Sequence, residues 1–182
     1  MTRSKLLVIT LLVLTAVAGW ANGEQEAVEP TEVADGFKRI DAEDLRFDWR
    51  IDGDTLEVVL SAETTGWVSI GFEPSRVMQD ANIIIGYVDG DEVVIEDHYG
   101  NALTAHRPDV DLGGESHVTI LGGSESDGRT EIHFSIPLDS GDEFDQPLTA
   151  GGSHNLIYAF GADGQDNTRQ KHQARGGFAT TL

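Results

Sequence analysis

At 182 residues, 39% of them hydrophobic and 7% aromatic, the chain has the size and composition of one globular domain, not of a disordered or fibrous one. Thirty-two acidic residues against 12 basic ones give a formal charge of -20, which repels phosphate backbones and anionic membranes and so excludes nucleic acid as a partner. The absence of cysteine excludes disulfides, thiol nucleophiles, cysteine-ligated clusters, zinc ribbons and covalently attached haem.

Residues 1–21 read as an export signal peptide. Arg3 and Lys5 precede an apolar run from Leu6 to Val17, and small residues follow at Ala16, Ala18, Gly19 and Ala21. Cleavage after Ala18 or after Ala21 fits this pattern. The run is short for a span of about 20 apolar residues, and no later segment is long and apolar enough for one. The expected location is therefore secreted or periplasmic, with no membrane span left after signal removal. Losing Arg3 and Lys5 leaves 10 basic residues against 32 acidic ones, a formal charge of -22. Residues 22–36 follow with five acids, one proline and no basic residue before Phe37, the composition of a flexible solvated tether. The globular domain is expected to cover 37–182.

From Phe37 onward the apolar period is two. Leu56, Val58 and Leu60 alternate in one segment, and Trp67 to Phe72 forms the next. Ile83, Ile85 and Tyr87 share a face, and Val93 and Ile95 begin a further strand. Residues 117–136 read as a hairpin, with Val118 and Ile120 before a turn at Ser124–Gly128 and Ile132, Phe134 and Ile136 after it. Leu156, Tyr158 and Phe160 alternate near the C-terminus. Gly, Asp, Asn, Ser and Pro clusters separate these runs, and Gly-Asp or Asp-Gly pairs recur as turn chemistry. No long amphipathic helix is visible. The expected fold is all-β: a two-sheet antiparallel sandwich, immunoglobulin-like, of about eight to eleven strands.

Residues able to carry chemistry are few. Met78 is the one methionine outside the leader, and it lies in a polar stretch between two strands, not on an apolar face. Six histidines remain, at 98, 106, 117, 133, 154 and 172, with none in a close metal-binding pair. His98, His106, His133 and His154 read as solvated or hydrogen-bonded. His172 differs: it follows the last clear strand signal, and Gly176-Gly177 beyond it lets backbone approach a bulky group. There is no G-x-S-x-G elbow for a serine hydrolase, and 32 acids do not single out a glycosidase pair. Asp109-Val110-Asp111 and the run from Asp163 to Asn167 hold calcium-type ligands, but neither matches the twelve-residue calcium loop, and both read first as acidic turns.

Taken together, several segments from about Asp41 to Leu182 resemble the DOMON family, extracellular β-sandwich domains found beside oxidoreductases and b561-type cytochromes. Gly66–Phe72 resembles its G-W-x-x-x-G-F strand, and Met78 with Ala81 and Asn82 its M-x-x-A-D motif. Ile95–Tyr99 resembles the following strand, and Pro108–Asp111 the acidic loop after it. Phe134–Leu138 with Gly141-Asp142 resembles F-x-R-P-L…G-D, Ile157–Gly161 the penultimate strand, and His172 with Arg175-Gly176 the closing H-x-x-R-G. Asn82 stands where aspartate is usual, and Ile136 where arginine is common. In the cytochrome members a methionine and a histidine hold haem b non-covalently, and Met78 and His172 match those positions.

The resemblance thus implies a b-type cytochrome domain whose iron takes Met78 and His172 as axial ligands, a pair that raises the reduction potential. With both axial positions filled, the implied task is one-electron transfer without catalysis. Trp67, Phe72, Tyr87, Phe160 and Phe178 are expected to wall the cofactor. A redox partner protein follows, either a membrane cytochrome or a soluble oxidoreductase. The alternative is a haem-free module of the same family binding carbohydrate or another small ligand.

Overall fold

The computed structural model describes residues 25–182; the expected signal peptide, 1–21, lies outside them. Twelve strands form: β1 (Thr31–Glu32), β2 (Lys38–Ala42), β3 (Leu45–Asp52), β4 (Thr55–Ala62), β5 (Val68–Phe72), β6 (Asn82–Asp89), β7 (Glu92–Ala102), β8 (Ala105–Pro108), β9 (Thr119–Ser126), β10 (Arg129–Pro137), β11 (Ser153–Phe160) and β12 (Ala174–Thr181). A one-turn helix, α1 (Asp109–Leu112), follows β8. The strands pair into two six-stranded sheets, β1-β2-β3-β4-β10-β9 and β12-β11-β5-β6-β7-β8, antiparallel throughout. The sandwich is the expected one, and the two-residue β1 takes the count past eleven.

Alternation builds the core. Phe47 and Trp49 on β3, Leu56, Val58 and Leu60 on β4, and Ile132, Phe134 and Ile136 on β10 point inward from the first sheet. Val68, Ile70 and Phe72 on β5, Ile84 on β6, and Leu156, Tyr158 and Phe160 on β11 meet them from the second. Phe47 stacks on Trp49 with ring centroids 4.8 Å apart. The expected hairpin is β9–β10, turned by Asp127-Gly128 with φ of 53° and 75°, the paired positive angles that match strand twist in a two-residue turn.

The acidic segment expected as a free tether is tied down over its described part. Ala27 bridges Ala179 of β12, Val28 N–H donates to Ala179 O at 2.7 Å, and Ala179 N–H donates to Glu26 O at 2.9 Å. Val28 packs against the core, and β1 then pairs with β2 of the other sheet. Acidity keeps the outward side chains wet, but the backbone finds strand partners and one valine finds apolar cover, so the segment joins the fold.

Candidate functional site

The second sheet is covered on both faces. Its inner face makes the core, and its outer face floors a cavity of about 480 Å³, within the range of small-molecule and cofactor sites. The floor follows from strand parity. Val68, Ile70 and Phe72 turn inward, so Ser69 and Gly71 face the cavity, joined by Ile83 and Ile85 of β6 and Ile157 and Ala159 of β11. Gly71 keeps the floor low: a Cβ there would lie 2.8 Å from Ile157 Cγ1 and 3.1 Å from Ile83 Cγ1. Ser69 Oγ donates to Ala159 O at 3.0 Å, which leaves the floor chiefly apolar.

Met78 enters from the loop between β5 and β6. That loop is tightly constrained. Val77 and Asp80 hold φ of 58° and 64°, and for β-branched Val77 this is a genuine outlier that the surroundings must enforce. Asp80 supplies the enforcement. Its carboxylate accepts from Ser75 Oγ and, at 2.9 Å, from Tyr99 Oη, which hold it below the usual carboxylate range. Its N–H donates to Gly100 O at 2.7 Å, while Gly100 N–H donates to Ala81 O at 2.9 Å. Gly100 must be glycine, because a Cβ there would sit 1.6 Å from Met78 O.

His172 comes from the opposite side, in the segment between β11 and β12 that also brings Thr168, Arg169, Gln170 and Lys171 to the cavity. Thr168 Oγ1 donates to Glu96 Oε2 on β7 at 3.2 Å, and Gln173 N–H donates to Phe160 O at 2.8 Å, so the segment is anchored at both sides. Partial burial, reinforced by the charges of Arg175 and Lys171, lowers the His172 pKa and favours its neutral form. Its Nδ1 is buried with no hydrogen-bond partner. A neutral imidazole with an unused nitrogen and a thioether lining the same cavity offer donors for a soft or borderline metal. Three of the chain's 12 basic residues, Arg169, Lys171 and Arg175, also line this cavity.

Met78, His172 and Trp67 therefore line one cavity, although 94 positions separate the first two. Trp67 is held by its own backbone, with N–H to Gln165 O at 3.0 Å and O accepting from Gly161 N–H at 2.8 Å. The other expected wall residues are elsewhere. Phe72, Phe160 and Phe178 belong to the core between the sheets, because their parity matches Ile70, Leu156 and Tyr158. Tyr87 shares the face of Ile83 and Ile85 but lies beyond the cavity, near the carboxylates of Glu96 and Asp166.

His106 lines the cavity too and is hydrogen-bonded, one of the two roles expected of it. Its Nδ1 meets His98 Nδ1 at 2.8 Å, and His98 Nε2 lies 3.3 Å from Glu96 Oε2. Two facing nitrogens share one proton, and burial beside His98 pushes His106 down to about 4.

A β-sandwich with a mostly apolar cavity on an outer sheet face, flanked by a methionine loop and a histidine segment, has the layout of a small-molecule binding site. The DOMON domain family matches residues 41–161, and the chain belongs to that family. Among solved structures it is similar to the cytochrome domain of cellobiose dehydrogenase from Myriococcum thermophilum, with a TM-score of 0.64 and 15% identity, covering 84% of this chain and 88% of that one. It is also similar to the cytochrome b domain of pyranose dehydrogenase from Coprinopsis cinerea, with a TM-score of 0.60 and 18% identity over 79% of this chain and 80% of that one. At such identities the likeness establishes the fold. The MOXD1 homolog 2 of Drosophila melanogaster is 26% identical over 120 residues, 66% of this chain but 16% of that protein. Among the described residues no helix is long and apolar enough to cross a membrane.

Proposed function

We propose that this chain is an exported b-type cytochrome domain that holds haem b non-covalently between Met78 and His172 and relays single electrons to or from a redox partner protein. One observation carries the reading: the thioether and the neutral imidazole enter one apolar cavity from opposite sides, and a buried imidazole nitrogen there has no partner. The residues fit the cofactor. Ile83, Ile85, Ile157 and Trp67 offer apolar surface to a macrocycle, Gly71 admits it close to the sheet, and Arg169, Lys171 and Arg175 offer charge to its carboxylates. When bound, haem would supply the one-electron couple, and Met78 and His172 would hold its iron and tune the potential.

Uptake of haem by the purified, leaderless protein tests this. We expect one equivalent to bind with a six-coordinate, low-spin spectrum. Met78→Ala should yield a partly five-coordinate species, and His172→Ala should lose most of the haem. A protein that takes up no haem stoichiometrically would refute the proposal and leave the haem-free ligand-binding module. If His106→Ala abolished the low-spin spectrum while His172→Ala spared it, the axial assignment would be wrong.

A further inference from the structure

A second cluster of ligating groups lies behind the Met78 loop. It gathers Asn82 at the start of β6, Asp97 on β7, Asp109 at the start of α1, His117 before β9 and Asp145 in the segment after β10. One ligand atom each from Asp97, His117 and Asp145 lies within 4.8 Å of the others. Asn82 Nδ2 donates to Asp145 Oδ1 at 2.7 Å, which joins β6 to the same group.

The unpartnered atoms decide what the cluster is for. Nine buried side-chain polar atoms lack a hydrogen-bond partner among the described residues, and five belong here: Asn82 Oδ1, Asp97 Oδ1, both carboxylate oxygens of Asp109, and His117 Nδ1. Asp109 is 0% exposed, and Asp97 and Asn82 are each 4% exposed. All four oxygens are acceptors, and the fifth atom is an imidazole nitrogen able to offer a lone pair. His117 Nδ1 lies 3.1 Å from Asp145 Oδ2, so the imidazole faces a carboxylate at ion-pair distance. Arg39, Arg46, Arg50 and Arg129 pair with Asp48, Asp41, Glu57 and Glu63, none of them in the cluster. The fourth nearby acid, Asp142, is spent on the N–H groups of Glu115 and Phe144. Left to themselves these carboxyls resist ionising. Burial and the neighbouring carboxylates push Asp109 up to about 8, and burial above all pushes Asp97 up to about 6.

We propose that Asp97, Asp145 and His117, with the buried carboxyl of Asp109 and the amide oxygen of Asn82 beside them, form a binding site for one divalent cation, calcium by the predominance of oxygen donors. Calcium takes several oxygens at about 2.3–2.6 Å, so donors across the ion stand just under 5 Å apart, and the Asp97, His117 and Asp145 donors fall within that spread. Such an ion ties β6, β7, α1 and the segment after β10 at one point. Asn82 is two residues from Asp80, whose O accepts from Gln146 Nε2 at 2.7 Å beside Asp145, so the ion would brace the base of the Met78 loop. The site uses no residue of the cavity, and its test requires no haem.

The test is thermal unfolding and calorimetric titration of the purified protein, first in chelator, then with calcium, magnesium or zinc chloride at matched ionic strength. We expect calcium to bind at one equivalent and to raise Tm in a saturable way. Asp109→Asn should weaken calcium at least tenfold while raising Tm in chelator, because the folded chain no longer has to protonate a carboxyl that is ionised when unfolded. Asp127→Asn, in the exposed β9–β10 turn, removes a charge elsewhere and should leave both readings unchanged. No calcium shift beyond that of magnesium, or an undiminished shift in Asp109→Asn, would overturn the proposal. A shift with zinc alone would overturn the assignment to calcium.

Discussion

Gly100→Ala is the sharpest probe of how the methionine loop is held. The new Cβ would lie 1.6 Å from Met78 O, 2.7 Å from Met78 C and 3.2 Å from Ala81 N, where real Cβ atoms stay beyond 3.0 Å. These are backbone atoms, so the loop must retreat by well over an ångström. That retreat strains the bonds from Asp80 N–H to Gly100 O and from Gly100 N–H to Ala81 O, at 2.7 and 2.9 Å. Two buried backbone pairs lost or distorted, plus overpacking, cost about 2–4 kcal/mol. In a domain of this size that lowers Tm by roughly 5–12 °C. Urea unfolding followed by fluorescence of the buried Trp49 and Trp67 measures it without any ligand. In haem-loaded protein the same variant should lose methionine ligation while His172 still binds. Gly90→Ala is the control: its Cβ meets open space, and its φ of +61° adds only local strain of about 1 kcal/mol. If Gly100→Ala matched wild type within about 0.5 kcal/mol, the claim that this glycine seats the loop would be wrong.

Thr64→Val should cost about 2–4 kcal/mol in urea, because Thr64 Oγ1 donates to Gly161 O at 2.8 Å and accepts from Gly66 N–H at 3.0 Å, and the isostere orphans both; a cost under about 0.5 kcal/mol refutes the role. A chain beginning at Phe37 should be about 3 kcal/mol less stable than one beginning at Gln25, having lost the Val28 and Ala179 bonds and the buried valine; equal melting temperatures would mean the segment contributes nothing. His106 is held down to about 4, so between about 6.5 and 4 the unfolded chain binds a proton that the folded one refuses. Stability is therefore lost as pH falls through that window, by about 2 kcal/mol after solvent screening, and His106→Asn should remove that share of the slope. Parallel wild-type and variant slopes in pH-dependent urea unfolding would exclude it.

The sandwich was legible because its strands alternate. Leu56, Val58 and Leu60, or Leu156, Tyr158 and Phe160, announce one buried face each. The run Ile83-Ile84-Ile85 says more: no face of β6 is wet, since one side meets the core and the other the cavity. The cavity itself was not legible from periodicity, since its floor is built from what strands leave out, Ser69 and Gly71 between the large residues of β5. Met78 and His172 were reachable by resemblance, not by spacing. The error over Phe72, Phe160 and Phe178 arose from counting aromatics without their parity. The acidic cluster was hidden by abundance: Asp109 drew notice beside Asp111, but its near charges are Asp97, Asp145 and Asp142, contributed by other segments of the chain.

The strip from Glu26 to Glu32 has a consequence for crowded solutions. On its far side β12 would otherwise present a bare row of N–H and C=O groups, a template for another molecule's strand. Residues 26–28 occupy that row in parallel, and β1 then crosses to β2, sealing one flank of both sheets with a ribbon whose charged side chains are all acidic. Removing the ribbon uncovers a sticky edge next to Phe178 and Ala179 and strips off Glu26, Glu29 and Glu32, which repel approaching copies. The shortened chain should thus fail first by slow self-association at high concentration, visible as light scattering below its unfolding temperature.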